Sequence, residues 1–193
     1  MKIGVLSIQG AVSEHLDLLS ECGAEAVPVK KPADFQHLEG LVIPGGESTT
    51  ISRLSQSYGI VEEIRRLARE GKPVMGTCAG AILLAKNIEG QKSVLDLMDI
   101  SVKRNAFGRQ RESFEENITI KGLPGGPFPC VFIRAPLITS SSPQVEVLAS
   151  YGIGAVAARQ DNLLVLSFHP ELTSDTRMHH YFLSISKNIL PGV

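Results

Sequence analysis

The stretch Gly76-Thr77-Cys78-Ala79-Gly80 constrains this chain more than any other. An apolar run, Pro73-Val74-Met75, leads in, and a helical run, Ala81-Ile82-Leu83-Leu84-Ala85, leads out. That pattern predicts strand, sharp turn and helix with a cysteine at the apex. It is the arrangement of the G-x-S-x-G nucleophile elbow, written with sulfur. Such a turn forces the nucleophile into a strained backbone conformation, and a side chain two residues to either side would crowd the neighbouring strand or helix. At a helix N-terminus the dipole favours negative charge. Cys78 is therefore a candidate nucleophile.

The rest of the first half repeats strand and helix. Residues 2–8 read as a buried strand, broken by Gln9-Gly10. Residues 12–21 carry apolar side chains at helical spacing, and Gly23 ends them. Strands are expected at 25–29 and 38–43, the second closed by Pro44-Gly45-Gly46, and helices at 49–58 and 60–70. This alternation predicts an α/β fold, a mostly parallel central sheet with helices on both faces. Short strands are expected at 100–102, 118–120, 131–133, 145–149, 154–158 and 163–168, some of them antiparallel additions to the sheet edge. Residues 175–189 read as a closing helix with Asp175 or Ser174 as N-cap. No repeat, low-complexity segment or linker divides the chain, so one domain is expected over 1–193.

Composition narrows the class. The formal net charge of -1 gives no support for nucleic-acid or acidic-membrane binding. No apolar run approaches a membrane span, and the N-terminus is too short and interrupted for a signal peptide. The 3 cysteines, Cys22, Cys78 and Cys130, are widely spaced without C-x-x-C, which argues against a disulfide framework or a zinc site. The expectation is a cytoplasmic protein without metal. Cys22 and Cys130 read as buried small hydrophobes.

A reactive cysteine needs a base. Of the 5 histidines, His169 follows the apolar run 163–168, at a strand C-terminal end, the edge where open α/β sheets build sites. Glu171 follows two residues later across Pro170, which stiffens the segment. The carboxylate can hold one ring nitrogen while the other takes the proton of Cys78. For His15, His37, His179 and His180 a structural role is preferred. Acyl transfer also needs an oxyanion hole, for which the Gly46 and Ala79 amides are candidates. A phosphate cradle is the rival reading of the Gly-Gly turn, but it lacks the lysine and length of a P-loop.

Three segments, Pro44-Gly-Gly-Glu-Ser-Thr-Thr50, Gly76-Thr-Cys-Ala-Gly80 and Ser167-Phe-His-Pro-Glu171, resemble the class I (triad) glutamine amidotransferases. With Gln9-Gly10-Ala11, Arg104-Asn-Ala-Phe-Gly-Arg-Gln110 and Phe132-Ile-Arg-Ala-Pro136, the chain is similar to the glutaminase subunits of ribose-5-phosphate-dependent pyridoxal 5'-phosphate synthases. The resemblance implies a flavodoxin-like three-layer sandwich with a triad of Cys78, His169 and Glu171. It implies L-glutamine held by Gly46, Glu47, Ser48, Arg104, Ile133 and Arg134. Which arginine takes the α-carboxylate is open, and Arg109 and Arg111 could serve structure or a partner surface instead.

The resemblance further implies glutamine hydrolysis to glutamate and ammonia through a glutamyl thioester. The partner would be a barrel-shaped synthase subunit that consumes the ammonia. No cofactor is expected, since pyridoxal phosphate would be the product of the complex. The Gly45-Gly46 peptide is expected to flip between two orientations, docking selecting the one that completes the oxyanion hole. The alternatives are a glutaminase for another pathway, such as imidazole glycerol phosphate synthesis, a non-catalytic scaffold, and a Cys-His peptidase.

Overall fold

Strands that are apolar on both faces belong inside a parallel sheet covered by helices. A computed structural model describes residues 1–108, 112–152 and 154–185. Its first half runs β1 (Lys2–Leu6), α1 (Val12–Glu21), β2 (Glu25–Val29), β3 (Gly40–Ile43), α2 (Ser48–Ser57), α3 (Val61–Arg69), β4 (Val74–Thr77) and α4 (Ala79–Leu84). The second half holds β5 (Ala85–Ile88), β6 (Gln91–Lys92), β7 (Met98–Lys103), β8 (Ser113–Ile118), β9 (Phe128–Ile133) and β10 (Leu137–Ser141). It closes with β11 (Glu146–Tyr151), β12 (Gly154–Gln160), β13 (Leu163–Leu166) and α5 (Arg177–Ile185).

The parallel core has the order β2-β1-β3-β4-β13, the flavodoxin-like order with β13 as fifth strand. Beyond β13 the sheet continues antiparallel through β12, β10 and β7, and β5 then runs parallel to β7. The β8–β9 pair forms a separate two-stranded sheet.

Residue alternation sorts the core into two layers. Leu41, Ile43, Val74 and Val165 face α2, α3 and α4, meeting Ile51, Ile64, Leu67 and Leu84. Val42, Met75, Leu164 and Leu166 face the other way, toward Leu19 of α1, Phe182 of α5, and Phe128 and Phe132 of β9. Helices therefore cover both faces of the parallel core, a three-layer sandwich as expected.

Several boundaries differ from the sequence expectations. The first strand ends at Leu6, and α4 begins at Ala79 and ends at Leu84, where the chain turns extended at Ala85. The strand expected at 118–120 is β8, displaced toward the N-terminus, with Ile120 buried outside it. Strands β5, β6 and β10 were not anticipated. Arg177 opens α5, two residues after the expected start, and its N–H donates to the Asp175 carboxylate at 3.0 Å. Residues 186–189 of the expected helix, with Arg109, Gln110 and Arg111, lie outside the described residues. Cys22 is only partly covered, not buried, with Sγ 3.8 Å from the Thr176 carbonyl, whereas Cys130 is fully buried.

Candidate active site

Four parallel strands, β1, β3, β4 and β13, end at one edge and deliver Gln9, the Gly45-Gly46 turn, Cys78 and His169 there. Cys78 has φ 48° and ψ -101°, the left-handed strain that an elbow imposes. The flanking glycines make it possible. A Cβ on Gly76 would lie 2.5 Å from the Gly80 carbonyl carbon, and one on Gly80 would lie 2.1 Å from the Ile43 carbonyl oxygen. The Cys78 amide donates to the Leu166 carbonyl at 2.8 Å, tying the elbow to β13.

His169 is fixed by its own amide, which donates to Val131 at 2.8 Å. Its Nδ1 lies 2.7 Å from Glu171 Oε1, so Nδ1–H donates to the carboxylate and Nε2 is the nitrogen left to exchange a proton with Cys78. Pro170 and Glu171 form a short 3-10 turn that holds this pair two residues apart. His169 and Cys78 are 8% and 7% exposed, while Glu171, at 4%, is buried behind the imidazole. Gly45 lets the ring in, since a Cβ there would sit 2.4 Å from His169 Cε1.

The electrostatics follow from this packing. Burial disfavours an imidazolium at His169, but hydrogen bonds to Cys78 and Glu171 and the charge of the Glu171 carboxylate outweigh it, raising the ring to about 10. Burial likewise opposes the Glu171 charge, and the adjoining His15 and His169 rings hold its carboxyl below the ordinary range. A charged Glu171 beside a basic His169 can activate a thiol for attack on a carbonyl.

A pocket of about 570 Å³ opens over Cys78. It is lined by Gly46, Glu47, Ser48, Ala79, Arg104, Ile133, Arg134 and His169, so every residue expected at the site except Glu171 borders one cavity. Gln9, Ile82, Glu89 and Asn105 also line it. Sequence reasoning missed Glu89, which accepts from Arg104 Nε at 3.0 Å and places both charges of an amino-acid zwitterion's complement together. The Glu47 carboxylate accepts the Thr49 and Thr50 amides at 3.0 and 2.7 Å. Hydrogen bonds from Thr50 and Thr49 hold it down to about 2. Cys78 Sγ also donates to the Ile133 carbonyl at 3.7 Å.

Two histidines read as structural, His15 and His179, lie next to the site. His15 and His179 are fully buried, and they are linked to the site through Glu171. Helical spacing accounts for each alone; only the tertiary packing of α1 against α5 brings them together.

The profile of the SNO glutamine amidotransferase family matches residues 5–188, and the chain belongs to that family. The pyridoxal 5'-phosphate synthase subunit PdxT of Dehalococcoides mccartyi strain 195 is 53% identical over 195 residues, covering 99% of this chain and 100% of the relative. The subunit of the same name from Geobacillus kaustophilus is 57% identical over 188 residues, covering 97% of this chain and 95% of the relative. A crystal structure of a glutamine amidotransferase superposes with a TM-score of 0.90 at 48% identity, over 96% of this chain and 98% of that one.

Proposed function

We propose that this chain is the glutaminase subunit of a pyridoxal 5'-phosphate synthase, hydrolysing L-glutamine and passing ammonia to a barrel-shaped synthase subunit. The observation that carries it is the joint placement of Cys78, His169 and the Arg104–Glu89 pair around one pocket. Relatives named PdxT over nearly the full chain support the pathway.

His169 takes the thiol proton, and Cys78 attacks the side-chain carboxamide. The tetrahedral oxyanion rests on the Gly46 and Ala79 amides. His169 returns the proton to the departing ammonia. Water activated by the same base then hydrolyses the thioester and frees glutamate. Arg104 and Arg134 meet the α-carboxylate, Glu89 meets the α-ammonium, and Glu47 acts by shaping the loop. No cofactor or metal enters these steps.

The Gly45 carbonyl packs on Gly10, where a Cβ would come within 1.6 Å of that oxygen. Turning the Gly45-Gly46 peptide over changes which of its groups faces the pocket, and docking of the synthase selects the productive one.

Glutamate release is measured for the chain alone and with a synthase subunit, with Cys78→Ala and Gly46→Val as controls. Turnover stimulated by the synthase and lost in both variants is expected. Equal turnover without the synthase overturns the pathway reading, and activity in Cys78→Ala overturns the nucleophile.

A further inference from the structure

We propose that His15 and His179 form a neutral relay that fixes the Glu171 carboxylate from the side away from His169, making both positioning residues for the Cys78–His169 pair. The proposal rests on the triad reading above.

Thr77 of β4 and His15 of α1 meet beneath the elbow, on the sheet face opposite α4. His15 Nε2 lies 3.3 Å from Glu171 Oε2 and 3.3 Å from Thr77 Oγ1. His15 Nδ1 lies 3.0 Å from His179 Nε2 of α5. All three side chains of the His15–Glu171–His179 group are closed to solvent.

Their chemistry sets the direction of the protons. An ionised carboxylate only accepts, so His15 Nε2 carries the hydrogen, shared between Thr77 Oγ1, to which it bonds, and Oε2 at the same distance. A neutral His15 then has a bare Nδ1, which accepts from His179 Nε2–H. That leaves His179 Nδ1 bare, and it is buried without a hydrogen-bond partner, the state a lone pair tolerates better than an N–H. Burial pushes His15 down, and the same cause holds His179 at about 3, so both rings are neutral near neutral pH. Glu14, Glu171 and His169 face His15; Glu171, His15 and His180 act on His179.

Oε1 of Glu171 is already held by His169. Oε2 makes no well-aligned hydrogen bond, and His15 is the donor beside it. Removing His15 takes away the ring packed 3.3 Å from Oε2 and leaves the carboxylate freer to rotate away from His169. The relay thus preserves the base strength of His169 without touching substrate.

The test compares His15→Asn, which keeps the acceptor toward His179 but not the donor toward Glu171, with His15→Gln and His179→Gln, which keep a donor at the ε position. Iodoacetamide labelling of Cys78 at neutral pH reports thiol activation, because burial raises Cys22 to about 11 and Cys130 to about 12. Turnover is followed with the synthase subunit present. His15→Asn is expected to label Cys78 and turn over about tenfold more slowly, a loss of about 1.4 kcal/mol in activation, with KM for glutamine little changed. Both Gln variants are expected to stay close to wild type. Wild-type rates in His15→Asn, with His169→Ala impaired, overturn the relay alone. Equal losses in His15→Asn and His15→Gln also overturn it, as packing rather than positioning. Unimpaired labelling in His169→Ala overturns the triad instead. Imidazole ¹⁵N spectra of the wild-type chain give a readout independent of variants. Hydrogen on Nε2 of both rings near neutral pH is expected, and a bare Nε2 on His15 overturns the relay.

Discussion

Gly80 illustrates how little freedom the elbow leaves. Its missing Cβ is replaced by the Ile43 carbonyl of the adjacent strand, and backbone cannot move aside as a side-chain tip can. Gly80→Ala is expected to cost about 1–3 kcal/mol or more, the range of overpacked cores. Urea unfolding checks this, with Gly71→Ala as a comparison whose Cβ would meet nothing within 4 Å, although its φ of 74° carries a strain of its own. The Gly-x-Cys-x-Gly spacing and the His-Pro-Glu run were legible from the chain, because strain and rigidity are written into glycine and proline. His15 and His179 were not: a buried relay exists only between helices 164 residues apart, and neither helix signals it locally.

Glu47 governs an element. Its carboxylate closes the N-terminus of α2 and its amide donates to Gln9 Oε1 at 3.2 Å, so it anchors the C-terminal side of the Gly45-Gly46 turn, beside the peptide that turns over. Glu47→Ala is expected to lose about 1 kcal/mol of stability, as a lost N-cap does. KM for glutamine should rise with it, and thermal unfolding and steady-state kinetics on the complex check both. Elements with strong periodicity, such as α1, were read to the residue. Strand β5 was hidden because Ala85-Lys-Asn-Ile88 continues α4 without a breaker, and β8 was placed too late because Phe114 and Ile118 are its only large apolar residues. Such strands owe their form to pairing with β7 and β9 rather than to local pattern.

At the scale of the whole molecule, the buried histidines make folding depend on pH in opposite senses. His179 stays neutral in the folded chain down to about 3, against 6.5 for an ordinary imidazole. Between those values the unfolded chain holds more protons, so stability present above 6.5 is lost as the pH falls toward 3. His169 works in reverse: raised to about 10, its contribution is present in acid and fades as the pH rises from 6.5 to 10. His179→Gln is therefore expected to lose less stability than wild type between neutral pH and about pH 4, measured by urea unfolding at each pH. The sheet order carries a consequence for synthesis. Strand β13 is read last of the sheet strands yet inserts between β4 and β12, and it brings the Leu166 carbonyl that receives the Cys78 amide. As the chain leaves the ribosome, the thiol emerges about ninety residues before its base, so the pair can come together only once β13 has been made and has taken its place between β4 and β12.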